Sequence, residues 1–305
     1  MTPPRVVLHE VGPRDGLQME PAAVPLAVKE AWIREVMASG IDIVQVGSFV
    51  RPDKVPQMAD TDALVRCLAA STPPGALLSA LVLNERGLER ALSCGVEMLC
   101  MGASASDTHS RKNSGLRTDE AVRLIIAMAR HAQEARVPVQ VSVQSAFGCG
   151  FEGPVPEDRV VDIARAYVDA GLTHVSLADT AGHATPSQVE RLFARVLRLA
   201  PDVECTAHFH DTYGLGMANL FAALRVGVKT FETSFGGLGG CPFTKLAAGN
   251  IATEDVVHAL QREGMRPDVD LARLVGVAHA VARHFGRELP GRVYRTGGPP
   301  HRSAA

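Results

Sequence analysis

Two patterns of apolar residues alternate along the chain. Short runs dense in branched and aromatic residues read as buried strands; longer stretches with an apolar residue every third or fourth position read as amphipathic helices. Val28, Trp32 and Val36 mark such a helix, and Ile41-Asp42-Ile43-Val44-Gln45-Val46-Gly47-Ser48-Phe49 is the strand after it. Gly40 stands between them. The same order of helix, glycine and strand returns at Gly95, Gly171 and Gly227, where a left-handed C-terminal cap is easiest without a Cβ. The pattern predicts strands near residues 6–12, 42–49, 76–83, 97–104, 138–146, 174–179, 203–210 and 230–236. It predicts helices near 25–40, 60–70, 85–95, 118–136, 156–171, 185–200, 214–227 and 252–264.

Strands and helices alternating at spacings of roughly 25 to 40 residues describe a closed parallel (β/α)8 TIM barrel better than an open doubly wound sheet. An open sheet usually carries a phosphate-binding glycine fingerprint after its first strand, and Gly12-Pro13-Arg14-Asp15-Gly16 is not one. Leu271 to Phe285 predicts an extra C-terminal helix. Residues 1–286 thus form a single barrel domain. Residues 287–305, rich in Pro, Gly, Arg and Ser, read as a poorly ordered tail.

Composition narrows the function. An apolar fraction of 46%, a charged fraction of 21% and a formal net charge of -2 describe a globular protein with a sizeable core. Basic residues form no patch or tail for nucleic acid. No apolar run is long enough to span a bilayer, and residues 1–10 lack the pattern of a signal peptide, so a cytoplasmic location is expected. Cysteines 67, 94, 100, 149, 205 and 241 have no Cys-x-x-Cys spacing and mostly fall in apolar segments, which reads as reduced core thiols. Cys241 differs, since it follows a glycine-rich run.

In a parallel barrel every strand ends at the same mouth, where barrel enzymes carry their chemistry. The polar residues at those ends are Arg14 and Asp15, Gln45 and Ser48, Asp179 and Thr180, His208 and His210, and Cys241 and Asn250. In an extended strand side chains alternate, so His208 and His210 point to one side and Phe209 to the other. A carboxylate, two imidazoles and an amide oxygen suit a divalent cation, and we take Asp15, His208, His210 and Asn250 as its ligands. Magnesium, manganese or cobalt fits this donor set. Arg14 beside them supplies a fixed cation for a developing oxyanion or enolate. Taken singly, Asp15 or Asn250 could instead be helix caps, and Asp179 could brace a loop.

Motifs in register along the chain resemble the 3-hydroxy-3-methylglutaryl-CoA lyase family. They are Glu10-Val11-Gly12-Pro13-Arg14-Asp15-Gly16-Leu17-Gln18, Ser48-Phe49-Val50, Val55-Pro56-Gln57-Met58, Leu177-Ala178-Asp179-Thr180-Ala181-Gly182, His208-Phe209-His210-Asp211-Thr212-Tyr213-Gly214 and Gly237-Leu238-Gly239-Gly240-Cys241-Pro242-Phe243, followed by Gly249-Asn250-Ile251-Ala252-Thr253-Glu254-Asp255. The resemblance implies a metal-dependent TIM-barrel carbon–carbon lyase. Such an enzyme cleaves 3-hydroxy-3-methylglutaryl-CoA, or a close 3-hydroxy-3-alkyl acyl-CoA, to acetyl-CoA and acetoacetate, as in leucine breakdown. It implies Mg2+ or Mn2+ at Asp15, His208, His210 and Asn250. It makes Arg14 the catalytic arginine, Cys241 a catalytic loop cysteine and Asp179 an acid of the same pocket. Ser48, Arg14 and Lys112 become candidate contacts to the acyl-CoA.

One departure stands out. Where the family usually has Glu on the second strand, this chain has Gln45, which keeps the shape but removes a negative charge beside Arg14 and the metal. A second lies in Gln144-Ser145-Ala146-Phe147-Gly148-Cys149-Gly150, where the lyases tend to have Ser-Cys and Cys-Pro. Related enzymes that condense acyl-CoA with a keto acid open with Asp-x-Thr-x-Arg-Asp-Gly, so Glu10 to Gly16 favours the lyase branch. The alternatives are such a condensing transferase, or a noncatalytic metal- or CoA-binding barrel. The extra helix and the barrel's apolar exterior point to a homodimer.

Overall fold

The computed structural model describes residues 5–69, 76–240 and 249–297. Its strands are β1 (Val7–Glu10), β2 (Ile43–Ser48), β3 (Leu77–Leu81), β4 (Met98–Ser104), β5 (Val139–Gln144), β6 (His174–Asp179), β7 (Glu204–Phe209) and β8 (Thr230–Thr233). All pair in parallel in chain order, and β8 closes on β1, so the sheet is a barrel. The helices are α1 (Leu26–Ala38), α2 (Thr61–Ala69), α3 (Glu85–Cys94), α4 (Asp107–Ser114), α5 (Thr118–Glu134), α6 (Glu157–Asp169), α7 (Pro186–Leu197), α8 (Gly216–Arg225), α9 (Thr253–Arg262), α10 (Leu271–Phe285) and α11 (Val293–Thr296). The predicted TIM barrel with an extra C-terminal helix is what forms. Gly40, Gly95, Gly171 and Gly227 all take positive φ, as their place after a helix predicts.

The apolar core lies between barrel and helices. Ala207, Phe209 and Phe231 point outward from β7 and β8 and are fully buried there, and Phe209 packs on Phe147 and Phe193 with ring centroids 6.0 and 6.4 Å apart. The alternate residues point into the barrel, and here they are polar: His9, Gln45, Ser79, Gln140, Thr206, His208 and Glu232, all buried. A barrel interior is usually filled by branched aliphatics. Polar filling costs desolvation unless each group is paired, which marks this interior as the support of a site.

Two regions differ from the sequence expectation. α4 was not anticipated, because its sequence is polar throughout; Ser106 starts it by accepting from the His109 amide at 3.1 Å. The chain beyond residue 286, expected to be a poorly ordered tail, is packed as far as Gly297. Leu289 and Tyr294 are buried, Asp255 accepts from the amides of Arg292 and Val293 at 3.0 and 2.7 Å, and Arg287 pairs with Glu20 at 2.5 Å. These anchors, with Val293 also buried, outweigh the polar composition around them.

Candidate active site

The mouth of the barrel is assembled by short backbone links. After β1 the chain makes one tight turn over Gly12–Gly16, closed by the Asp15 amide on the Val11 carbonyl at 2.7 Å, and this presents Arg14 and Asp15 side by side. His210 and Asn250 form an antiparallel bridge. It is flanked by the Asp211 amide on the Gly249 carbonyl at 2.9 Å and the Ile251 amide on the Phe209 carbonyl at 3.2 Å. Asn250, 40 positions along the chain from His210, is thereby brought beside it. Glu10 ties the parts together: Oε1 accepts from the Gly12 and Phe235 amides at 2.7 and 3.0 Å, and Oε2 accepts from the Thr253 hydroxyl at 2.6 Å.

Ligand-type atoms of Asp15, His208 and His210 all lie within 4.8 Å of one another. The two Nε2 atoms of His208 and His210 are 3.0 Å apart, and His210 Nε2 lies 3.7 Å from Asp15 Oδ2. Asn250 donates from Nδ2 to Asp15 Oδ2 at 2.8 Å and to the Leu238 carbonyl at 3.0 Å. Its Oδ1 is buried without a hydrogen-bond partner. Two imidazole nitrogens facing each other, a carboxylate and an orphaned amide oxygen make a donor set that fits a divalent cation. Gly239 closes over it at φ +112, where a Cβ would come within 2.5 Å of Asn250 Nδ2.

Arg14 completes the first turn. Its Nη1 donates to Asp15 Oδ1 at 2.6 Å and its Nε donates to Gln45 Oε1. Burial would raise the Asp15 carboxyl, but the Arg14 charge and the two histidines hold it well below the usual carboxylate range. Asp15 is therefore ionised at neutral pH.

Glu232 is the residue that sequence reading missed. It accepts from His208 Nδ1 through Oε2 at 2.7 Å, which leaves Nε2 of that ring for a metal. Burial would raise its carboxyl, but the hydrogen bond and charge of His208 overcome that and hold it at about 2. In Thr230-Phe231-Glu232-Thr233 only the parallel register, which sets His208 and His9 against Glu232 on either side, gives it away.

The other predicted residues fall as follows. Ser48 ends β2 with its Oγ buried and unpartnered. Asp179, at the end of β6, is fully buried, and burial raises its carboxyl to about 6. Its two oxygens accept from the His183 and Ala184 amides at 2.8 and 3.0 Å, the geometry of a loop brace. Lys112 is exposed on α4 with its ammonium 4.7 Å from the centroid of the Phe151 ring. Cys241 lies outside the described residues. The five described cysteines are unpaired, four of them buried.

Comparison with known proteins places the chain among its relatives. Residues 5–281 match the HMGL-like family model. Hydroxymethylglutaryl-CoA lyase of Bacillus subtilis is 37% identical over 290 residues, 95% of this chain and 96% of its own length. (R)-Citramalyl-CoA lyase of Chloroflexus aurantiacus is 38% identical over 300 residues, 96% of this chain and 95% of its own. Among solved structures, an HMG-CoA lyase from Acinetobacter baumannii in complex with coenzyme A and 3-methylmalate superposes with a TM-score of 0.90 at 33% identity, covering 96% of this chain and 95% of that one. With almost all of its length matched and its barrel shared with a solved relative, the chain belongs to the HMGL-like family.

Proposed function

We propose that this chain is a divalent-metal-dependent carbon–carbon lyase that cleaves 3-hydroxy-3-methylglutaryl-CoA, or a close 3-hydroxy-3-alkyl acyl-CoA, to acetyl-CoA and the matching keto acid. The observation that carries it is the convergence of Asp15, His208 and His210 within 4.8 Å, with Arg14 bonded to Asp15 at 2.6 Å. A Mg2+ or Mn2+ ion held there by these three residues and Asn250 would supply a Lewis acid that lowers the pKa of a tertiary hydroxyl.

The residues then divide the work. Once the hydroxyl proton passes to a base of the pocket, Asp179 or a histidine, the C2–C3 electrons pass to the thioester as an enolate. Arg14, fixed by Asp15 and Gln45 and with no hydrogen bond from Nη2 among the described residues, offers that nitrogen to the enolate oxygen. An acid protonates the enolate carbon, and Cys241 is the proposed donor. Asp179 serves best as the brace of residues 180–184, and the lone pairs those amides leave free make it a proposed base for the hydroxyl proton, with a histidine of the site as the other. Ser48 and Lys112 are proposed contacts to the acyl-CoA, and we further propose a cytoplasmic homodimer. No helix among the described residues is long and apolar enough to cross a membrane.

A second substrate has support in Gln45. An amide where the family resemblance expects a carboxylate leaves Arg14 less neutralised, which suits a substrate carboxylate close to the carbinol carbon. The named substrate of the Chloroflexus relative, citramalyl-CoA, has that form. Acetyl-CoA release from each thioester with Mg2+ or Mn2+ decides. Rapid metal-dependent cleavage of the methylglutaryl substrate supports the first reading. Turnover of citramalyl-CoA alone supports the second, and consumption of an acyl-CoA only when a keto acid is added would mean a condensing transferase.

A further inference from the structure

Beneath the ligands a line of hydrogen bonds crosses the barrel. His208 Nδ1 is 2.7 Å from Glu232 Oε2, and Gln140 Nε2 donates to Glu232 Oε1 at 2.5 Å. The Thr206 hydroxyl donates to Gln140 Oε1 at 3.1 Å, and His174 Nε2 lies 3.1 Å from that hydroxyl. His174 is the first residue of β6, so the line runs from the mouth to the opposite end of the barrel. His9 stands beside it, with Nδ1 3.7 Å from Glu232 Oε1, too long for a hydrogen bond.

The direction of this line is forced. An ionised carboxylate only accepts. Gln140 must therefore turn its amide nitrogen to Glu232 and its oxygen to Thr206. The one hydroxyl hydrogen of Thr206 is spent on that oxygen, so His174 must donate from Nε2. From the other side His208 must donate from Nδ1. All donors point at Glu232, and the only neutral tautomer left to His208 carries its lone pair on Nε2, toward the ligand cluster. His210 contrasts with it, since its Nδ1 is buried with no partner, and its proton can change places when a cation arrives.

We propose that Glu232 is the positioning residue of the metal centre, fixing His208 as the Nδ1–H tautomer, and that Gln140, Thr206 and His174 fix Glu232 in turn. The proposal rests on reading Asp15, His208, His210 and Asn250 as a metal site. Carboxylates that hold a ligating histidine from behind typically matter 10- to 100-fold in metal affinity.

Glu232→Gln tests it. The new amide must set its NH2 on His208 Nδ1, which turns the ring to the wrong tautomer, or on Gln140, which must then flip and reverse the whole line. Exchanging the pair, Glu232→Gln with Gln140→Glu, restores a consistent set of donors. The amide at position 232 then turns its oxygen to His208 and its nitrogen to the carboxylate at position 140, which also accepts from Thr206. The expected result is Mn2+ affinity, measured by titration of the free ion, about 10- to 100-fold weaker in Glu232→Gln, with most of the loss recovered in the exchanged pair. Nitrogen-15 spectra of the metal-free wild type should show His208 protonated at Nδ1. The proposal is overturned if Glu232→Gln stays within about threefold of wild type, if the exchanged pair binds no tighter than the folded single variant, or if His208 lacks a proton on Nδ1. A wild type that binds no Mn2+ sinks the metal reading instead, and the tautomer measurement still judges the proposal if a variant fails to fold.

Discussion

Asn250 Nδ2 lies 2.8 Å from Asp15 Oδ2, joining residues 235 positions apart, and this contact leaves Asn250 Oδ1 buried with no partner. A buried amide oxygen without a donor is costly, and a cation beside it would remove that cost. Ligand binding to the folded state adds about 2.7 kcal/mol at 100 times Kd, or roughly 4 °C in Tm for a chain of this size. Mn2+ should therefore raise the Tm of the wild type by that amount. It should leave His210→Ala almost unmoved, and EDTA should abolish acetyl-CoA release. Equal Tm shifts in wild type and variant would place the ion elsewhere.

Arg14 is held by Asp15 and Gln45 but supports neither the core nor a strand. Arg14→Gln should lower kcat by about 10²- to 10³-fold, the usual loss on removing an oxyanion donor, with Tm and Mn2+ affinity close to wild type. Gln45→Glu should keep cleavage of 3-hydroxy-3-methylglutaryl-CoA within about tenfold while disfavouring citramalyl-CoA. A loss of folding in Arg14→Gln would contradict the role given to it.

What could be read from the chain follows from how each feature is encoded. The barrel was legible because its signals are local: helical spacing, a glycine and an apolar strand, repeated. His208 and His210 were legible because a period of two places both on one face. Glu232 and Gln140 were not, because nothing sets them apart from the other polar residues of β5 and β8, and their partners are set by register across β5, β6, β7 and β8. α4 escaped because its start is a single capping serine. Residues 287–297 escaped because three scattered buried side chains, Leu289, Val293 and Tyr294, decide their order.

Glu254 accepts from the Gly236 amide through Oε2 at 3.0 Å, while its Oε1 is buried with no partner. Burial raises its carboxyl from 4.5 to about 8, and burial likewise raises Glu10 to about 7. The folded chain thus holds these protons more tightly than the unfolded chain, and stability falls as pH rises from about 4.5 through 8. The lowered carboxyls of Asp15 and Glu232 act in the opposite sense, but only as pH falls below their unfolded values near 4. Glu254→Gln should match wild type in Tm near pH 5 and exceed it by roughly 5 °C at pH 8.5. Parallel pH profiles would show that the group ionises freely.

At the closed end of the barrel Arg266 is 4% exposed. It donates to the carbonyls of Val6 and Gly40 at 2.9 and 2.8 Å, and to Asp42 and Asp268 at 2.5 and 2.9 Å. Removing one partner of a buried ion pair costs about 3–5 kcal/mol. Arg266→Ala should lower Tm by roughly 5 to 8 °C while kcat at 20 °C below that Tm stays near wild type. A matching fall in kcat would mean that this end communicates with the mouth.

Gly239 gives a test of the mouth that leaves every polar group in place. Its φ of +112 is strained for any residue with a Cβ, and that Cβ would lie 2.5 Å from Asn250 Nδ2 and 3.4 Å from Asp15 Oδ2. Gly239→Ala must therefore move either its own loop or Asn250. The loop is anchored nearby by the Gly237 amide on the Ser234 carbonyl at 2.8 Å, whereas the Asn250 side chain is held only by hydrogen bonds from Nδ2, to Asp15 and to the Leu238 carbonyl. Asn250 should yield, taking its oxygen away from the cation. Mn2+ affinity is expected to fall by about tenfold with Tm of the metal-free protein lowered by only a few degrees, since a strained backbone position costs about 1–3 kcal/mol. Unchanged Mn2+ affinity in a folded Gly239→Ala would remove Asn250 from the ligand set and leave Asp15, His208 and His210 as the whole of it.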